Sequence, residues 1–516
     1  MSTPLRVEVI GGGIAGLCTA VLARRCGYDV EVLEQHESAG GLATSWRRGG
    51  YTFENCLHWL LGANPRGPMH AQWAEVFAID QLRFVHPEEY VRLEDARGEQ
   101  LIIPTNVERL ESQLLRCSPA DAREIRHLAS AIRKLAAVTL PDPAQSGIQH
   151  WLATLRNAAA LPTLRHWSAI TCADYARRFK HPLLRRFFGE GELAELSALA
   201  LVFSLAWMSE HDAAYVIGGS RAIIELIVRR LHELGGRLRL GAPVKRILVE
   251  GDAVVGVRLA SGESIDADWV VSAADGHATL EHLLGGLYTD TETEERYRRL
   301  RPFPSYVMVS LGVAEDLSGQ AALVTHVLDS PLQVDPGTQL SQLSVRFFHF
   351  DPTFAPAGKT AVTCWLPTRN DAYWLELRQQ RPERYRAEKQ RIAEAVIAVL
   401  GERLPTLPGH IEVTDVATPA TIMRYTGNWH GSMEGWLLTP GIGFRPLRHT
   451  LPGLDRFVMA GHWVMPGGGL PSGLMTARRA VQEMCRRDGR AFPPGQDADS
   501  LGRAVVSSAS ASTPVG

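Results

Sequence analysis

The sequence predicts an α/β fold whose nucleotide-binding half is assembled from both ends of the chain. Three observations predict it. Near the N-terminus a short strand over residues 6–10 runs directly into Gly11-Gly-Gly-Ile-Ala-Gly16 and a helix. A second strand over residues 28–33 ends at the carboxylate of Glu34. Near the C-terminus the order repeats, with a strand over residues 455–460, a glycine loop from Gly461 to Gly469, and a helix from Leu474.

Each part of the first unit has a physical task. Gly11 permits the tight turn from strand to helix, Gly13 lets backbone approach a pyrophosphate, and Gly16 lets helix and strand pack closely. Ile14 and Ala15 sit in the loop ahead of a helix read from Leu17 to Cys26, whose free N–H groups and positive dipole end attract phosphate. Ala20, Leu22 and Ala23 continue it and Gly27 closes it. Glu34 falls about 20 residues on, where a carboxylate accepts from ribose hydroxyls. This is a Rossmann-type dinucleotide site.

Two features favour FAD over NAD. An NAD domain passes from the ribose acid into another helix, whereas here Gly40-Gly41 and the turn-rich stretch to Glu54 intervene. The second glycine loop, with Gly461, Gly468, Gly469 and Leu470, supplies another phosphate-binding or ring-edge device from the far end of the chain.

On these motifs the chain resembles the phytoene desaturase superfamily of FAD-dependent oxidoreductases, which includes carotenoid isomerase and all-trans-retinol saturase. Val9-Ile-Gly-Gly-Gly-Ile-Ala-Gly-Leu17, Gly40-Gly41 and Pro466-Gly-Gly-Gly-Leu-Pro471 carry the resemblance. So do Gly218-Gly-Ser-Arg-Ala222, the strands around Val244 and Val254, and Arg424-Tyr-Thr-Gly-Asn428. It implies a glutathione-reductase-like FAD domain built from discontinuous segments, with an inserted α+β substrate domain. Val244 belongs to the strand pair that would close over the FAD adenine. The implied activity is desaturation, saturation or isomerisation at carbon–carbon bonds of a hydrophobic isoprenoid, carotenoid or related polyene, by hydride transfer at the flavin. One departure stands out. Where carotenoid desaturases often carry an F-D-x-G-P run, this chain reads Phe53-Glu-Asn-Cys-Leu57 and then His58-Trp59.

The expected organisation is an FAD domain from residues 1–70, 215–285 and 415–490, a substrate domain from 71–214 and 286–414, and a disordered tail over 496–516. His58 and His462 are the candidates for acid/base chemistry. Trp59, Trp463 and Phe348 are candidates to line the substrate space. For each histidine a plain structural hydrogen bond competes with the catalytic role. Arg424 is a candidate anchor for a polar substrate end, with an ordinary ion pair as its alternative.

Composition narrows the classes further. A net charge of −2 over 516 residues argues against nucleic acid as a partner. The seven scattered cysteines form no C-x-x-C pair, so no metal site is expected, and they suit a reducing cytoplasm. No run reaches the roughly 20 apolar residues of a membrane span. The apolar stretch 196–208 reads as a buried helix, or as one that lines a substrate tunnel or touches the inner membrane face peripherally. Open alternatives are an amine-oxidase-like or protoporphyrinogen-oxidase-like flavin oxidase, a flavoenzyme that tailors secondary metabolites, and a flavin-binding carrier without turnover.

Overall fold

The computed structural model describes residues 4–138, 157–191, 194–442 and 446–492. The expected disordered tail lies outside them.

Five strands form an all-parallel sheet: β1 (Arg6–Ile10), β2 (Asp29–Leu33), β3 (Arg237–Arg239), β4 (Trp269–Ser272) and β5 (Phe457–Met459), in the order β3-β2-β1-β4-β5. Val7, Val9, Val30, Val32 and Trp269 are wholly buried, because helices cover both faces of a parallel sheet. Helix α1 (Ile14–Arg25) is buried without a break from Ile14 to Ala23. The strand order reverses beside β1. That reversal opens a crevice at the carboxyl ends of β1 and β4, where open α/β sheets bind their ligands.

Three more helices matter to the site: α2 (Ala198–Ser209), α3 (Gly219–Glu233) and α4 (Gly469–Asp488). Both glycine loops give way to helix sooner than the sequence suggests. Helix α1 begins at Ile14 rather than Leu17, and α4 at Gly469 rather than Leu474. The first turn of a helix makes few internal hydrogen bonds, so glycine there costs little. Gly473, past that first turn, serves packing instead, since a Cβ would sit 2.7 Å from the Ile14 side chain where α4 meets α1.

A seven-stranded sheet forms the second half. Its order is Ile411–Ala417, Ser305–Val313, Thr360–Thr368, Thr338–Phe347, Leu323–Asp335, Glu89–Glu94 and Gln100–Pro104. Alternation along its strands separates two faces. Val307, Val309 and Leu311 pack with Trp374, Ile392 and Val396, beneath the helix Pro382–Arg403. Tyr306 and Met308 join the core shared with the nucleotide half. In the same way Leu343, Val345 and Phe347 face the helix side, which leaves Arg346 on the inner face.

A helical layer closes the structure. Asn106 caps Val107–Cys117 by accepting from the Arg109 N–H at 3.0 Å. Pro119 ends that helix and opens a short 3₁₀ turn before Ala122–Ala136. Helix α2 packs into this layer and is apolar on all sides, as a buried helix should be. No helix among the described residues is long and apolar enough to cross a membrane. All seven cysteines are free thiols.

Candidate functional site

A cavity of about 370 Å³ lies at the crevice between β1 and β4. The first glycine loop gives it Gly11, Gly13, Ile14 and Ala15, and the end of β2 gives it Glu34. Gly40 and Gly41 form another wall, Val244 another, and Gly461, Gly469 and Leu470 come from the C-terminal loop. Of the residues expected around the cofactor, two stand elsewhere. Gly16 is off this wall, and a Cβ there would lie 1.9 Å from the Gly11 carbonyl oxygen. Gly468 lines the neighbouring cavity and presses on the chain at Glu434, whose carbonyl oxygen would be 2.4 Å from a Cβ on the glycine.

The cradle suits a dinucleotide. A Cβ on Gly13 would meet nothing closer than the Gly40 carbonyl at 3.7 Å, so no protein atom crowds the backbone there, and Gly13 lines the cavity. Gly11 holds the turn with φ of 99°, a conformation side chains disfavour. Neither α1 nor α4 has an acidic residue in its first turn, so both helix N-termini can face phosphate without repulsion. Glu34 is pinned at the rim: one carboxylate oxygen accepts from Gly12 N–H at 2.7 Å and the other from His36 N–H at 2.8 Å. Each oxygen keeps further acceptor capacity for a ribose diol.

Asp275 follows β4 and lines the same cavity. Its carboxylate accepts from the Ala278 N–H at 2.7 Å and the Trp429 N–H at 2.8 Å, tying two loops together. Burial raises its pKa from 3.8 to about 6, against the pull of those N–H groups. The folded state therefore binds the proton more tightly than the unfolded chain. This group's contribution to stability is complete below about pH 4 and is lost as pH rises through about 6. Asp275→Asn should remove that dependence. In thermal melts from pH 4 to pH 7, the gap between wild type and variant should change by up to about 3 kcal/mol.

His462 and Trp463 also line this cavity. Burial pushes the His462 ring down to about 4, so it is neutral. Trp463 stands edge-on to Trp436, with ring centres 4.9 Å apart, and walls the cofactor side rather than the substrate side.

A second cavity of about 520 Å³ abuts the first. The two share Cys56, Met433, Glu434, Gly469, Leu470 and Ser472. Its lining is mostly aromatic and apolar, with Trp59, Trp207, Phe303, Phe350 and Trp365. Helix α2 turns Ala200, Ser204 and Trp207 toward it, one face of a 3.6-residue period. The stretch 196–208 is thus both a buried helix and a wall of this chamber.

His58 and Trp59 lie on this second wall. The His58 ring packs on Trp365, with centres 4.9 Å apart, and its Nδ1 meets an Arg346 nitrogen at 3.2 Å. Arginine only donates, so Nδ1 accepts and the ring proton sits on Nε2. Burial first, and the Arg346 charge second, push the ring down to about 3. Phe348 is placed differently from expectation. The strand ends at Phe347 and a turn follows, so Phe348 packs in the core against Phe354 at 4.8 Å, while Phe350 reaches the chamber.

Arg346 is the residue that sequence reasoning missed. Its signal was present: a lone cation within the apolar strand Leu343-Ser-Val-Arg-Phe347. Arg424, weighed instead as a polar anchor, stacks over Tyr425 and is absent from the chamber wall.

A dinucleotide cradle joined to an apolar chamber defines a flavoprotein oxidoreductase that acts on a small molecule held out of water. Comparison with known proteins agrees. The model of the flavin containing amine oxidoreductase family matches residues 14–485, and the chain belongs to that family. It is an FAD-dependent oxidoreductase. It is 25% identical to a phytoene desaturase (lycopene-forming) of Paracoccus sp., over 92% of this chain and 96% of that one. It is 24% identical to the chloroplastic prolycopene isomerase of Daucus carota, over 92% of this chain and 80% of that one. Among solved structures, an oxidoreductase from Methanosarcina mazei covers 93% of this chain and 100% of its own, with a TM-score of 0.59 and 19% identity, which shows a shared fold.

Proposed function

We propose that this flavoenzyme desaturates, saturates or isomerises carbon–carbon bonds of a hydrophobic polyene of the carotenoid type. One observation carries the reading: an aromatic, largely apolar chamber shares a wall with the cofactor cavity, so an extended hydrocarbon held there lies beside the redox group. The similarity to a phytoene desaturase and a prolycopene isomerase along nearly the whole chain supports it. The bound flavin would supply hydride transfer.

In this reading residues 1–70, 215–285 and 415–490 hold the cofactor, and 71–214 and 286–414 shape the chamber. Gly11, Gly13, Ile14 and Ala15 carry the pyrophosphate, Glu34 the ribose, and Gly461, Gly469 and Leu470 the ring side. His58 acts as a neutral hydrogen-bond donor through Nε2, since a ring that protonates only near pH 3 stores no proton at neutrality. His462 is neutral for the same reason and positions the cofactor side. The chamber's aromatic walls exclude water. Such a substrate partitions into bilayers, so a cytoplasmic location with peripheral contact at the inner membrane face goes with the proposal. Flotation with liposomes tests that contact.

The main test uses FAD-loaded protein without dioxygen. A partly saturated C40 polyene should bleach the flavin and gain a conjugated double bond, or emerge as a different geometric isomer by chromatography. No change with any polyene, together with bleaching and later peroxide formation with amines, would overturn the proposal in favour of an amine oxidase.

A further inference from the structure

We infer that Arg346 makes the chamber selective for a polyene that ends in a carboxylate. The inference rests on the polyene reading above and names the substrate's polar end. Arg346 lies on the inner face of its strand, lines the chamber and is only 7% exposed. Among the described residues its side-chain hydrogen bonds are to His58 alone, at 3.3 Å to the carbonyl and 3.2 Å to Nδ1. No carboxylate among them pairs with it. Its Nε–H is buried without a partner. A guanidinium has five N–H donors, so most of its capacity is unused.

The charged groups nearby form no ion pair with it, although Glu54 acts on it at longer range and Glu434 also lines the chamber. On the same wall Glu88 pairs with Arg109 at 3.1 Å and Glu89 with Arg92 at 2.6 Å. Glu54 is buried nearby but spends its oxygens on Ser220, Cys56 and Leu57. His58 is neutral and accepts from the guanidinium. The Trp365 ring, 5.9 Å from the guanidinium carbon, adds a π face but no charge.

Burying a cation without a counter-ion is costly, and a protein keeps such a group where a ligand completes it. The planar fork of arginine matches a carboxylate in two parallel hydrogen bonds. His58 Nε2–H is a further donor beside it. The remaining walls are largely aromatic and aliphatic, which suits an extended conjugated chain. A pure hydrocarbon would leave the guanidinium desolvated and unmatched. A polyene acid fills the chamber with its chain and pairs the cation with its head.

The test measures dissociation constants on FAD-loaded protein, from perturbation of the flavin spectrum. The probes are all-trans-retinoic acid, its methyl ester and palmitate, with wild type, Arg346→Met and Arg346→Lys. The expected result is that wild type binds the polyene acid at least about tenfold more tightly than its ester. Arg346→Met should lose that preference, Arg346→Lys should keep part of it, and the melting temperature of Arg346→Met should hold or rise. Equal affinity for acid and ester, or a preference that survives Arg346→Met, would overturn the inference and leave the polyene reading standing. Binding of palmitate as tight as that of the polyene acid, with the same dependence on Arg346, would support a carboxylate site and sink the polyene reading. Binding of none of the three would overturn both.

Discussion

Gly13→Ala is expected to fold normally and to hold FAD at least about a hundredfold more weakly, a loss of about 3 kcal/mol. The methyl group meets no protein atom closer than 3.7 Å, and the residue already sits at φ −77°, which alanine adopts freely. The space it fills is the space a pyrophosphate needs beside the first turn of α1. Gly16→Ala should behave in the opposite way. Its Cβ would lie 1.9 Å from the Gly11 carbonyl oxygen, so the loop or the helix must move, and the apoprotein itself should melt lower. Flavin absorbance after gel filtration, set beside the melting temperature of each apoprotein, separates the two. A Gly13→Ala protein that keeps its flavin through gel filtration would show that the phosphates lie elsewhere.

Glu54→Ala is expected to cost about 3–5 kcal/mol and to abolish turnover with it. Glu54 is wholly buried. Its carboxylate accepts from the Ser220 hydroxyl at 2.5 Å, the Ser220 N–H at 2.9 Å, and the N–H groups of Cys56 and Leu57, both at 3.2 Å. Burial raises its pKa, and the four hydrogen bonds pull the other way. Alanine strands three backbone N–H groups and a hydroxyl in the interior. It also frees the turn that carries Asn55 to Trp59 onto the chamber wall. Glu54→Gln keeps most of the shape and one acceptor, so it should lose only about 1–2 kcal/mol. Urea titration of both variants checks the order. An alanine variant as stable as wild type would mean that the network does not hold the turn.

Glu54 also explains the motif departure noted in the sequence. The Phe-Glu-Asn-Cys-Leu run is the anchor between this turn and the N-terminus of α3. Gly219 must lack a side chain there, since a Cβ would meet the Glu54 carboxylate. Pairing of Glu54 with Ser220, 166 positions away, left no trace in local patterning.

Much of the nucleotide half was legible in the chain itself. A strand, a glycine loop and a helix start are local events, governed by backbone freedom and a period of two or 3.6 residues, so β1, α1, β2 and Glu34 could be placed by reading along the sequence. The second glycine loop was legible for the same reason. The chamber was not. Its walls gather residues from strands and helices hundreds of positions apart, and which face each presents depends on where strands end and how sheets pack. That is why Phe350 rather than Phe348 reaches the cavity, and why His58 is neutral: its charge state follows from burial and from Arg346, 288 residues away. The sequence by itself determined the cofactor cradle, because close backbone approach is encoded in glycine. Only the tertiary structure decided the chemistry of the substrate space, because desolvation and the pairing of charges exist only once distant segments meet.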